Sequence, residues 1–475
     1  MIDRHAPKVS SAKSLRVWCV GLFFFAFFMY LLAPEESSSV FQNACVLFIL
    51  ALLALYVYLG GFVRQHCGIV QPEIVFILVF AMLIYWFKLV GGEEFAYYQK
   101  AYNFEINKVF ALANLGISAF VFAITLVKYS NYSPTSVGKV NRAYWYKVGS
   151  AIFLAGFAMV LVYALYAGKE AFLGRYEGSD VGNLGVRTLY LLQTILLKVG
   201  IAIVLLAQSD RRSWLPKKKF HLIIFVGILL MYLVLGDRSE FMYQAAVAGF
   251  AYVISYKRIP FVVLLLGVLA LGFVSSAARI ARTYDERSVD AIVDAALSGN
   301  EEVSISSGFA NVASSGGLTF IALQAVPNEH DFFRGRLKVN EALGIIPFGR
   351  FFFGDKSSAV RYRNTSEWLT WYTLGPNSSW GVGTNLVADL YLDFGPGGVV
   401  AGMFLLGIIL GVIKRKSAAG SSLLVLVLYC YFAGLLAILP RYSFLVIMRA
   451  ILWPLALLIV IGFFAPKKSH AARLN

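Results

Sequence analysis

The chain has 475 residues, of which 59% are hydrophobic and 14% charged, with a mean hydropathy of +0.71. Soluble domains carry about 45–50% apolar residues, so this composition excludes a soluble globular protein and points to one that lives in a bilayer. A net charge of +16 would suggest nucleic acid in a soluble protein; in a membrane chain it marks the retained face and draws anionic headgroups, so membrane lipids are expected as partners and nucleic acid is not.

Apolar windows of the roughly 17–25 residues needed to cross hydrocarbon run at 17–33, 44–62, 74–90, 109–127, 148–167 and 188–208. They continue at 220–235, 240–255, 260–276, 397–413, 423–440 and 443–464. These windows predict an all-α polytopic membrane protein of about twelve transmembrane helices. The short pair flanking Gly236 is also compatible with a hairpin that enters without crossing. The chain divides into a helix bundle over 1–276, a long loop over 277–396, and closing spans with a tail over 397–475. Basic loops such as DRRSWLPKKK and SYKR share one side with both termini, whereas opposite loops such as PEESSSVFQN are acidic or neutral. Because Lys and Arg are retained on the cytoplasmic side, both termini are expected in the cytoplasm and the long loop outside. The first window follows a polar tail and has the length of a retained span, so no cleaved signal is expected. Cys19, Cys45, Cys67 and Cys430 lie in or beside spans, so no disulfide framework is expected either.

Between two windows stands GDRSEFMYQAAVAG, residues 236–249. Gly236 suits a left-handed helix end. Asp237 and Glu240 match a capping box, the aspartate taking the amide of Glu240 and the glutamate reaching back. Arg238 has no comparable local role, since its same-face neighbours Val234, Leu235, Phe241 and Met242 are not acidic, and a cation in a first helical turn opposes the helix dipole. A charge held at membrane depth against these preferences marks a functional site by default, and a ligand anion would satisfy it together with the helix amino terminus. The alternative is an arginine snorkelling to the outer interface.

The long loop holds Arg279, Arg282, Arg287, Arg334, Arg336, Arg350, Arg361 and Arg363 against only Lys338 and Lys356. A planar guanidinium grips phosphate through two bonds where lysine offers a point charge, so the bias favours an anionic partner. Pairing with Asp285, Glu286, Glu301, Glu302, Glu341 and Glu367 is the competing reading. Aliphatic and aromatic groups throughout the loop predict several short helices, some flat on the membrane. Toward its end Trp368, Trp371, Tyr372, Trp380 and Tyr391 offer faces for headgroups or for sugar rings. Asp389 and Asp393 share a helix face just before the Gly395-Pro396 break. They suit a general base or a hydroxyl holder, with pairing to the loop arginines the favoured alternative. His330, in NEHDFF, is the one outward histidine near acids. No zinc constellation, Walker motif or Rossmann glycine run is present, so neither metal nor cofactor is expected, and an outward site without nucleotide calls for a donor activated on lipid.

The sequence resembles the Wzy-type O-antigen polymerases, the oligosaccharide repeat-unit polymerases of Gram-negative inner membranes. The likeness rests on Gly236-Asp237-Arg238-Ser239 between two spans, on one large periplasmic loop late in the chain, and on GTNLVADLYLDFGPGG at 383–398, which is similar to that family's loop-to-helix ending. The resemblance implies a C-type glycosyltransferase fold, metal-independent, moving a growing glycan from undecaprenyl diphosphate onto a fresh lipid-linked repeat unit at the periplasmic face. It implies Arg238 as the diphosphate clamp. The acceptor hydroxyl also needs a proton acceptor, and Glu367, Asp389, Asp393 and His330 are the candidate catalytic residues for it. Arg279, Arg282, Arg350, Arg361 and Arg363, with Trp371, Tyr372, Asn377 and Tyr391, are the residues expected to hold diphosphate or glycan. A polysaccharide chain-length regulator is an implied partner. Two readings compete: an O-antigen ligase that passes the glycan to lipid A core, and a transporter for the same lipid, whose internal repeats are not seen.

Overall fold

The computed structural model describes residues 9–60, 70–90, 106–127, 141–173, 184–210, 213–234, 237–256, 304–345, 364–376, 381–418 and 422–464, with single residues 260, 269, 276, 362 and 378. Among these the regular structure is helical throughout. Eight helices precede the long loop: α1 (Val9–Leu31), α2 (Ser39–Leu59), α3 (Pro72–Val90), α4 (Ile106–Leu126), α5 (Arg142–Leu173), α6 (Leu184–Ala207), α7 (Phe220–Val234) and α8 (Arg238–Ser255). Four shorter ones follow, α9 (Ile305–Ala313), α10 (Gly317–Ala325), α11 (Arg336–Ile345) and α12 (Thr365–Leu374). Then α13 (Leu386–Ala418), α14 (Leu423–Leu436) and α15 (Val446–Phe464) close the chain.

Seven of the described helices, α1, α2, α4, α5, α6, α13 and α15, are long and apolar enough to cross a membrane, and α3, α7 and α14 hold shorter apolar runs. This is a multi-pass membrane protein. Of the window 260–276, counted among the twelve, only residues 260, 269 and 276 are described, and 277–303 and 346–361 lie outside the described residues. At 15 residues α7 rises only about 22 Å, short of a hydrocarbon core of roughly 30 Å, and α8 carries Arg238, Glu240 and Gln244.

The bundle is built around α4, which is buried along almost its whole length. Its polar residues face other helices: Asn114 donates to the Cys45 carbonyl of α2 at 3.1 Å and accepts from the Tyr85 hydroxyl of α3 at 2.7 Å. Such bonds tie helices together where the alternative is a polar group in hydrocarbon. Beside this core α5 runs along α6 so closely that a Cβ on Gly200 would stand 2.6 Å from the backbone N and Cα of Phe153.

The described residues between 304 and 374 form short helices. α10 is embedded against α13 rather than surface-lying. α13 itself begins at Leu386, ahead of the expected start at 397. Asn385 initiates it, accepting from the Ala388 amide at 2.9 Å. The Gly395-Pro396 break is a kink inside this helix: Gly395 has φ 64 and ψ −157, a region open to glycine alone, and Pro396 lacks the amide that would bond back. The kink separates a short buried arm carrying Asp389 and Asp393 from a long arm packed along α4.

Candidate functional site

The 237–240 turn folds partly as a capping box. Asp237 is the N-cap of α8, its carboxylate accepting from the Glu240 amide at 3.1 Å and from the Tyr190 hydroxyl of α6. Glu240 does not reach back. It pairs with buried Lys198 of α6 and accepts from Gln244 at 3.1 Å, because in this apolar setting an unneutralised ammonium is costlier than an uncapped amide. Lys198 also sits 4.1 Å from the centre of the Tyr243 ring, a cation–π contact. Arg238 lies half-buried in the first turn of the same helix.

A second charged set forms where α11, α12 and the short arm of α13 meet. Asp389 accepts from Lys338 at 2.7 Å, from the Thr365 hydroxyl at 2.6 Å and from the Phe444 amide at 2.7 Å. Asp393 accepts from the amides of Gly335 at 3.0 Å and Leu337 at 3.3 Å, so a residue of α13 caps the amino terminus of α11, where a negative charge is favoured. Its other oxygen lies 2.9 Å from the Lys338 ammonium. The favoured pairing of these two acids with loop arginines is thus corrected: one lysine serves both. A compact ammonium with three donors reaches two carboxylates one helical turn apart, while Arg334 and Arg336 of the same segment are exposed. Burial works against the charge on Lys338, but Asp389 and then Asp393 outweigh it and raise its pKa above the ordinary lysine value.

Glu341, one turn beyond Lys338 on α11, joins this set. One of its oxygens accepts from the Ser443 hydroxyl; the other is buried without a hydrogen-bond partner among the described residues. Burial and, next, the charge of Asp389 push its pKa up to about 7, against the opposing pull of Ser443, Lys338 and Arg449.

Residues 439–446 connect the two sets. Tyr442 lies beside Ser239 in the α8 turn, while Ser443 and Phe444 bind Glu341 and Asp389. Arg449, in the first turn of α15, is exposed, and its charge acts on Glu341 from one set and on Lys198, Tyr243 and Tyr431 from the other.

Residues 15–470 match the family described as O-antigen polysaccharide polymerase Wzy. The chain belongs to that family. Among proteins of curated function and among solved structures, none matches it. Wzy membership brings a glycosyltransferase-type activity in surface-polysaccharide synthesis and lipid-linked oligosaccharide substrates.

In this Wzy chain the remaining residues singled out from sequence fall in three places. His330 stands edge-on to Trp368, Trp371 and Tyr372, ring centres 5.7, 6.1 and 5.9 Å away, and Tyr372 donates to Glu329 at 2.8 Å. Trp371 and Tyr372 are half-buried and Glu367 is exposed, its amide capped by Asn364 at 2.9 Å. Tyr391 is buried and donates to the Val326 carbonyl at 3.1 Å. Arg279, Arg282, Arg350, Arg361, Arg363 and Asn377 lie outside the described residues.

Sequence reasoning passed over Lys338, Glu341, Thr365 and Ser443 as site residues. The signal for the first two was their spacing of three, which puts them on one helix face. A further buried ion pair, Glu73 of α3 with Lys414 of α13, also went unread; Gln71 accepts from the same ammonium at 2.9 Å. It lies some 25 residues along α13 from Asp389, a rise of roughly 35 Å, and so at the opposite end of the bundle.

Proposed function

We propose that this protein lengthens a surface polysaccharide by joining undecaprenyl-diphosphate-linked repeat units at the periplasmic face of the inner membrane. The observation that carries the reading is the match to the polymerase family from residue 15 to residue 470. The joined charged sets at α8, α11, α13 and α15 support it, since they put guanidinium groups beside a partly neutralised cluster of acids. The acceptor hydroxyl attacks the anomeric carbon of the donor glycan, the bond from that carbon to the phosphate oxygen breaks, and its electron pair leaves on the diphosphate. A single displacement of this kind inverts the anomeric centre.

Charge accumulates on the departing diphosphate, and fixed guanidinium groups stabilise it more than they stabilise the ground state. Arg238 is assigned to that role, joined by Arg449, whose first-turn position in an apolar helix is costly for a cation. The loop arginines Arg279, Arg282, Arg350, Arg361 and Arg363 are assigned to the diphosphate and the glycan. Trp371 and Tyr372, with His330 between them, offer aromatic faces for sugar rings. Asp389 and Asp393, both held by Lys338, position α11 against α13.

Purified full-length protein in liposomes, given lipid-linked repeat units, should build a glycan ladder. Arg238→Ala should slow it on the order of 10²–10³, with Arg238→Lys recovering only part because the two-bond grip is lost. Full activity in both variants contradicts the role of Arg238. Transfer of glycan to a lipid A core without ladder growth points to a ligase instead.

A further inference from the structure

We propose that Glu341 is the proton acceptor for the incoming hydroxyl, a role that rests on the polymerase reading above. When the acceptor oxygen bonds to the anomeric carbon and the bond to the diphosphate breaks, one proton must leave that oxygen; it passes to the Glu341 carboxylate, and the electron pair of the broken bond stays on the diphosphate. No oxidant, reductant or metal is required.

The choice follows from how each acid is occupied. Asp389 is surrounded by three donors, and Asp393 by two amides and the shared ammonium. Glu240 is neutralised by Lys198, and Asp237 caps its own helix. Each of these acids already spends its oxygens on donors or a cation within the fold. Asp393 also has an oxygen without a hydrogen bond, but that oxygen faces the Lys338 ammonium at 2.9 Å; the second oxygen of Glu341 has neither a hydrogen bond nor an ion pair among the described residues. Electrostatics agree. Burial, and next the charge of Asp389, disfavour the ionised carboxylate more than Ser443, Lys338 and Arg449 favour it, and its pKa rises to about 7. A base with that value is matched to proton transfer near neutrality. The charged groups acting on it are Lys338 on its own helix, Asp389 on α13 and Arg449 on α15, with the Ser443 hydroxyl as its neutral partner. Arg449 places a cation near the base, where a diphosphate leaving group can be held.

The test is the pH profile of polymerisation by the full-length protein in liposomes. In the wild type, kcat/KM should rise with pH and level off above about 7. Glu341→Gln should lower the rate by about 10²–10⁴ across the range while the protein stays monodisperse. Ser443→Ala keeps the carboxylate but removes the hydrogen bond that lowers its pKa, so the rising limb should move up by about one pH unit. An E341Q rate above about a tenth of wild type, or a limb that stays in place in S443A, overturns the assignment while wild-type polymerisation leaves the functional reading standing. Failure of the wild type to lengthen glycan overturns that reading and the assignment with it.

Discussion

Lys338 is the residue on which the α11–α13 junction depends most. Replacing it with Met leaves Asp389 and Asp393 buried without a cation, which costs about 3–5 kcal/mol in comparable pairs. The thermal unfolding midpoint in detergent should fall markedly, and adding Asp389→Asn with Asp393→Asn should restore much of it; an unchanged midpoint in Lys338→Met contradicts the shared pairing. Glu341 sets a second expectation. Its pKa is raised from 4.5 to about 7 on folding, so the folded protein holds this proton more tightly than the unfolded chain. Its contribution to stability is therefore greatest below about pH 4.5 and is lost as pH rises through 7. Wild-type protein should melt at a lower temperature at pH 8 than at pH 5, and Glu341→Gln should flatten that fall; an equally steep fall in the variant excludes Glu341 as its source. Sequence spacing revealed that Asp389 and Asp393 share a face, but arginine abundance pointed to the wrong partner, because the geometry that lets one ammonium bridge both acids exists only after α11 folds onto α13.

At the scale of helices, hydropathy located most elements, since a span long enough for hydrocarbon leaves an unbroken apolar run in the chain. The short arm of α13 escaped because Asp389 and Asp393 depress the apolar average over residues that are nonetheless buried. Embedding of α10 escaped for a different reason: nothing local distinguishes a helix under the bundle surface from one on it. Close helix approach was equally silent in sequence, yet it is testable. A side chain at Gly200 meets the Phe153 backbone at 2.6 Å, so Gly200→Leu should force α5 and α6 apart at a cost of about 1–3 kcal/mol, read as a lower melting temperature. Gly227 on α7, where a Cβ meets nothing within 4 Å, supplies the control; equal effects at the two positions contradict tight α5–α6 packing.

Across the molecule, α13 links a charged cluster at each end, Lys338 with its two aspartates at one and Glu73 with Lys414 at the other. The proposed topology places the first outside and the second toward the cytoplasm. Asn328 and Lys217 are both exposed and should behave oppositely: in intact spheroplasts, an impermeant thiol reagent should label Asn328→Cys at once and Lys217→Cys only after permeabilisation. The reverse pattern inverts the topology. Family membership and membrane class were legible in the sequence because spans and short motifs are local; the joining of the α8 turn to the α11–α13 junction through residues 439–446 was not, since those partners lie from 55 to about 200 residues apart. The central claim, glycan growth by displacement of a lipid diphosphate, is tested most directly by counting both products in one reaction of the purified protein with lipid-linked repeat units. One undecaprenyl diphosphate released for each glycosidic bond formed is the expected result; release of a monophosphate, or bond formation without carrier release, contradicts it.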